Sequence, residues 1–75
     1  MMGTVVEVQW SSSRERRANI VRRGDGLFQV EVERLRPAAP ELEEPAQWVP
    51  DGRAVILADT LEKARELAAF ELAGP

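Results

Sequence analysis

The sequence has no cysteine and no histidine, and each absence closes off chemistry. Without cysteine there is neither a disulfide nor a thiolate ligand, so the framework that staples many small secreted domains is excluded. With histidine missing too, the common zinc sites and the catalytic triads built on His or Cys cannot be assembled from this chain alone. No apolar run approaches the roughly 18 residues needed to span a bilayer. The opening "MMGTVVEVQW" has no basic region followed by a long apolar one, so the expected location is the cytoplasm. No cofactor and no metal are expected. Glu41, Glu43 and Glu44, with Asp51 and Asp59, are the acids a cation could draw on, but charged loop residues are usually solvated and no spacing matches an EF-hand loop.

What is present is one domain's worth of chain. Seventy-five residues lie near the lower limit for unassisted folding, where a single core leaves only a small margin and burial against a partner matters. Charge is uneven: residues 1–36 carry seven Arg against five acids, and residues 37–75 carry three basic residues against eight acids, giving +2 and −5.

Apolar alternation predicts three strands first. "TVVEVQW" places Val6, Val8 and Trp10 on one face, expected inside, and Val5, Glu7 and Gln9 on the other. A second strand spans about 16–23. Its own alternation does not choose a buried face, since Ala18 and Ile20 oppose Asn19 and Val21. The third strand does choose, because Phe28, Val30 and Val32 alternate with Gln29, Glu31 and Glu33. A three-residue loop over 24–26, with Gly26 left-handed, sets Ile20 opposite Val30 and Ala18 opposite Val32. A two-residue Asp-Gly loop would instead set Asn19 opposite Val32, so the three-residue loop is the expected one.

Residues 37–50, "PAAPELEEPAQWVP", hold four prolines and three glutamates and predict a loop, because proline fixes φ and removes a ladder donor. "PDGR" reads as a turn and "AVILA" as a short buried strand, with Trp48 and Val49 expected to pair with it as a hairpin. Asp59 and Glu62 have capping-box spacing, so a helix starts near Thr60 and ends at Gly74 and Pro75. At about 100° per residue, Leu61, Ala64, Ala68 and Leu72 form one stripe with Leu67 at its flank. The expected fold is α+β: a small antiparallel sheet of three to five strands, ordered β-β-β-(β-β)-α, with one C-terminal helix on one face and residues 1–75 in a single domain.

Two features resist a purely structural account. The helical wheel places Phe70 opposite the stripe, beside Lys63 and Glu66. Either the last turn departs from the regular wheel and tucks Phe70 under the domain edge, or Phe70 is exposed and anchors a partner. The stripe fixes the rotation of the helix, so exposure is expected. Phe70, Lys63 and Trp48 form the candidate partner surface. The second feature is basic: Arg14, Arg16, Arg17, Arg22 and Arg23 could track a phosphate backbone with Trp10 available for stacking. The structural account pairs them with Gln29, Glu31 and Glu33 across the hairpin. "RGD", residues 23–25, matches an adhesion tripeptide but is accounted for by turn chemistry.

"NIVRRGDGLFQVEV" and "ILADTLEKARELAAFEL" together resemble the amino-terminal half of HicB-type antitoxins, in which a hairpin around Asp-Gly leads to a third strand and a helix opened by Asp-Thr-Leu-Glu. The likeness covers residues 19–35 and 56–72, and the family's Pro-Asp-Leu-Pro-Gly-Cys type segment is replaced by the longer "RPAAPELEEPAQWVPDG". What the resemblance implies is a sheet-and-helix module that meets other proteins. The expected function is that of a non-enzymatic interaction or regulatory module, binding another protein or itself. Nucleic-acid binding through the arginines is the alternative.

Overall fold

The computed structural model describes residues 3–51 and 56–73, and its centre is the hairpin that alternation marks out. Strand β2 (Arg16–Arg22) pairs antiparallel with β3 (Phe28–Arg36), with Ile20 opposite Val30 and Ala18 opposite Val32. The expected register is therefore the observed one. Between the strands, Arg23 N–H donates to Leu27 O at 2.9 Å and Gly26 N–H donates to Arg23 O at 3.2 Å. Gly26 has φ of 87°, a conformation open to glycine because it lacks Cβ. Asp25 closes the turn by accepting the Leu27 N–H at 3.1 Å. That bond first, and Arg23 second, hold the Asp25 carboxyl below its ordinary range.

Strand β1 (Thr4–Trp10) adds to the free edge of β2, and here the expected face is inverted. Val5 lies opposite Val21, but the next pair is Glu7 opposite Ile20, so Val6 is an extra residue and the ladder bulges. Beyond a bulge every side chain changes face relative to a regular strand. Glu7 and Gln9 thus join Ile20 and Ala18 on the side covered by the helix, and Val8 and Trp10 point to the other side.

The outer edge of β3 is shared by two short strands. β4 (Gln47–Pro50) pairs with residues 33–36 of β3, and β5 (Ile56–Ala58) pairs with residues 28–30, both antiparallel. Asp51 N–H extends the first ladder by donating to Val32 O at 3.0 Å. Among the described residues the expected hairpin is not seen: Trp48 and Val49 pair with Leu35 and Arg34 of β3, and residues 56–58 pair with β3 as well. Nine residues of β3 are long enough to satisfy both short strands in tandem, which leaves neither dependent on the other for its backbone bonds. Gly52 and Arg53 of the expected turn, and Ala54 and Val55 of the expected strand, lie outside the described residues. Within the proline-rich stretch, a single 3-10 turn at Pro40–Leu42 is closed by a bridge between Ala39 and Glu44. Residues 37–50 are thus a tight turn followed by β4.

Helix α1 (Leu61–Ala73) crosses one face of this five-stranded sheet. Its cap is Thr60 and not Asp59: the Thr60 hydroxyl accepts the Lys63 N–H at 3.1 Å. The hydroxyl one residue later reaches the third helical N–H, which is the position a capping side chain serves. Ala64 and Ala68 are fully buried against Ala18, Ile20, Val30 and Ala58, and Leu61, Leu67 and Leu72 pack around them with Phe28, Val32 and Ile56. Two alanines in the contact let the helix sit close to the strands. The partly buried leucines then seal the rim.

Ile20 and Val30 are the largest fully buried side chains among the described residues. Ile20→Ala is expected to cost about 2–5 kcal/mol, read as a fall in the urea midpoint. In so small a domain that is enough to unfold a large share of the molecules at room temperature.

Candidate interaction surface

Register assigns every strand residue to one of two faces. Opposite α1, Trp10, Arg17 and Glu33 form one cross-strand row, Val8, Asn19 and Glu31 a second, and Val5, Val21, Gln29 and Leu57 a third, with Leu35 beside Trp48 at the far end. Apart from Val21 and Leu35, the two central strands present polar side chains on this uncovered face, as a solvated antiparallel sheet face should. Its margins are not polar. Val5, Val8, Trp10 and Leu57 are 54, 38, 44 and 48% exposed.

Trp10 and Trp48 lean towards each other across the two central strands, with ring centroids 5.5 Å apart and planes at 65°. The edge-to-face geometry suits the quadrupoles of the two rings. Under them lies Arg17, its guanidinium carbon 4.2 Å from the Trp48 centroid and 5.7 Å from that of Trp10. Arg17 Nε also donates to Glu33 Oε1 at 2.7 Å, and the same oxygen accepts from Asn19 Nδ2 at 2.9 Å. The cation is therefore neutralised on one side and roofed by indole on the other. At the opposite end of the face, a groove of about 780 Å³ is lined by Gly3, Val5, Val21, Arg23, Gln29 and Glu31.

The five arginines do not make one patch. Alternation sends Arg17 and Arg23 to the uncovered face and Arg16 and Arg22 to the helix side, while Arg14 sits in the β1–β2 turn with its guanidinium 5.9 Å from the Trp10 ring. Acids take up several of them. Arg16 meets Asp51 at 3.0 Å, with Arg34 at 3.8 Å from the same carboxylate, and Arg23 meets Asp25 at 3.0 Å and Gln29 at 3.2 Å. The cross-hairpin pairing expected for a solvated face is observed for Arg17 with Glu33 and for Arg23 with Gln29.

The candidate partner surface is likewise divided. Phe70 is 76% exposed on the outer side of α1, as the wheel predicts, and Lys63 is exposed two turns earlier on the same helix. Trp48 lies on the far side of the sheet, because its partner Leu35 faces away from the helix-covered row of Val30 and Val32. No pattern in the sequence announces the roof over Arg17. Its only sequence signal is that Arg17 and Glu33 fall opposite each other once the hairpin register is known.

At the β1 edge, Arg65 Nε of α1 donates to Glu7 Oε1 at 2.9 Å, and Gln9 Nε2 donates to Glu7 Oε2 at 3.3 Å. The Arg65 bond first, then that from Gln9, lowers the Glu7 carboxyl from its ordinary range. Among the described residues, no helix is long and apolar enough to cross a membrane. No family model matches this chain, and the comparisons with curated proteins and with solved structures returned no match.

A double-mutant cycle on Arg17 and Trp48 is expected to return a coupling of about 0.5–1 kcal/mol, measured by urea unfolding. Zero coupling would mean that the indole merely lies over the guanidinium. Glu7 supplies a pH test. A carboxyl whose folded value is lowered stabilises fully above its unfolded value, and that contribution is lost as pH falls through the folded one. Unfolding midpoints followed down through the carboxylate range should therefore fall less steeply for Glu7→Gln than for the wild type.

Proposed function

We propose that this chain is a non-enzymatic cytoplasmic module that binds another protein, or a second copy of itself, through the sheet face that the helix leaves uncovered. One observation carries the reading: the sheet has one helix for two faces, and on the other face Val5, Val8, Trp10 and Leu57 remain in water. Three of the four, Val5, Val8 and Trp10, are grouped on the β1 margin, and exposed apolar side chains rimmed by polar residues are the usual mark of an interaction site. The resemblance of residues 19–35 and 56–72 to HicB-type antitoxins supports the same class of role.

Nucleic-acid binding is the less favoured reading. The arginines that would carry it are spread over two faces and a turn, and Arg17 is committed to Glu33, Trp10 and Trp48. Phosphate contacts need cations that converge on one track.

Two measurements test the choice. Tagged full-length chain, expressed in its native cell, should bring down a stoichiometric protein, this chain included, and Trp10→Ala should release it without lowering the melting temperature by more than a few degrees. Titration with single-stranded and duplex oligonucleotides at low salt should show no binding. Affinity that appears there and falls steeply with added salt would reverse the order of the two readings.

A further inference from the structure

Four of the seven large apolar side chains left exposed among the described residues, Val5, Val6, Val8 and Trp10, belong to the single edge strand β1. The two edges of the sheet are built differently. The β4/β5 edge is broken into strands of four and three residues and carries Pro50, devices that discourage pairing with another chain. On β1 the only such devices among the described residues are the bulge at Val6 and the charge of Glu7. From residue 8 to the end of the strand there is no proline, charge or bulge.

The hydrogen-bond phase of β1 shows which backbone groups that edge offers. Ser11 N–H donates to Arg16 O at 3.0 Å, which marks Ser11 and Arg16 as a hydrogen-bonded pair. Antiparallel ladders alternate bonded and non-bonded pairs, so Gln9 with Ala18 and Glu7 with Ile20 also bond inward. The N–H and C=O groups of Val8 and Trp10 consequently point away from the sheet.

We propose that β1 pairs antiparallel with β1 of a second copy about a two-fold axis at Gln9, joining two five-stranded sheets into one. The inference rests on the reading of this chain as a protein-binding module and names its partner. This register sets Val8 opposite Trp10 of the second copy and Trp10 opposite its Val8, so all four outward pairs of donors and acceptors are used. Side chains match as well. Each Val8 packs on a Trp10 on the uncovered face, Glu7 meets the hydroxyl of Ser11, and Gln9 meets Gln9, with no like charges opposed. Competing axes do worse. An axis at Val8 runs Trp10 into the bulge at Val6, one at Glu7 sets two carboxylates against each other, and one at Trp10 pairs Val8 with Ser12 in the turn.

The test uses the whole chain. Sedimentation equilibrium over a range of concentrations should show a monomer–dimer equilibrium, and Val8→Pro should weaken it by at least about tenfold, since one substitution removes two of the intermolecular bonds. The N–H it removes points to solvent in the monomer, so melting of dilute Val8→Pro should stay close to wild type. Because the chain has no cysteine, a single thiol reports position. Gln9→Cys should form a disulfide dimer under mild oxidation much faster than Phe70→Cys on the outer side of the helix. If Val8→Pro fails to fold, the thiol comparison decides alone. A monomer at every concentration, a dimer indifferent to Val8→Pro, or faster cross-linking through residue 70 would each overturn the pairing. A strictly monomeric chain that still brings down a different protein, lost on Trp10→Ala, would remove this inference and leave the binding-module reading standing.

Discussion

The contact between Ala64 and Ala68 of α1 and the Ile20–Val30 pair of the central hairpin is what the rest of the molecule depends on. A helix can lie close to a sheet only where its contact residues are small, and these two alanines allow the central aliphatic pair to be wholly enclosed. The leucines at 61, 67 and 72 then close the sides. Everything outside this block is attached to it through one ladder or another. Among the described residues α1 is the one α-helix, and it shields one face of the sheet. The other face is left to be solvated, occupied by a partner, or both.

The bulge at Val6 decides which residues bear that exposure. Were β1 regular beyond Val5, Val6 and Val8 would lie opposite Ile20 and Ala18 and add to the core, and Glu7 and Gln9 would be in water. The extra residue reverses this from Glu7 onward. Glu7 is then placed where Arg65 of the helix can reach it, and the apolar content of β1 is spent on the outside. In so small a domain, giving up valine burial lowers the margin of stability. Burial against a second copy would restore part of it, which joins the fold to the proposed function.

Charge placement follows the same alternation. The basic stretch that looks continuous in the chain is divided by the pleat of β2, and each half meets acids from its own side: Glu33 and Asp25 for the uncovered face, Asp51 for the helix side. Arg17 is also covered by two indoles, so its charge is directed inward to the sheet. A run of arginines in sequence is therefore several separate ion pairs in space.

Local patterns determined much of this protein. The Val30–Val32 alternation and the Gly-Asp-Gly loop were enough to set the β2–β3 register, because of the two short loops the turn allows only the three-residue one matches apolar with apolar at both Val30 and Val32. The stripe from Leu61 to Leu72 set the rotation of the helix and so placed Phe70 in water. These properties rest on neighbours within a few residues, where geometry is fixed by the backbone period. Tertiary structure alone decided the rest. The inverted face of β1 comes from a one-residue bulge, which leaves the sequence pattern intact while reversing its meaning. The capping hydroxyl of Thr60 depended on where the chain leaves β5, and the pairing of β4 with β3 on the length of the edge that β3 offers. The meeting of Trp10, Arg17 and Trp48 required the three registers that link β1 to β2, β2 to β3 and β3 to β4, because residues 38 apart become neighbours only after each ladder has been set.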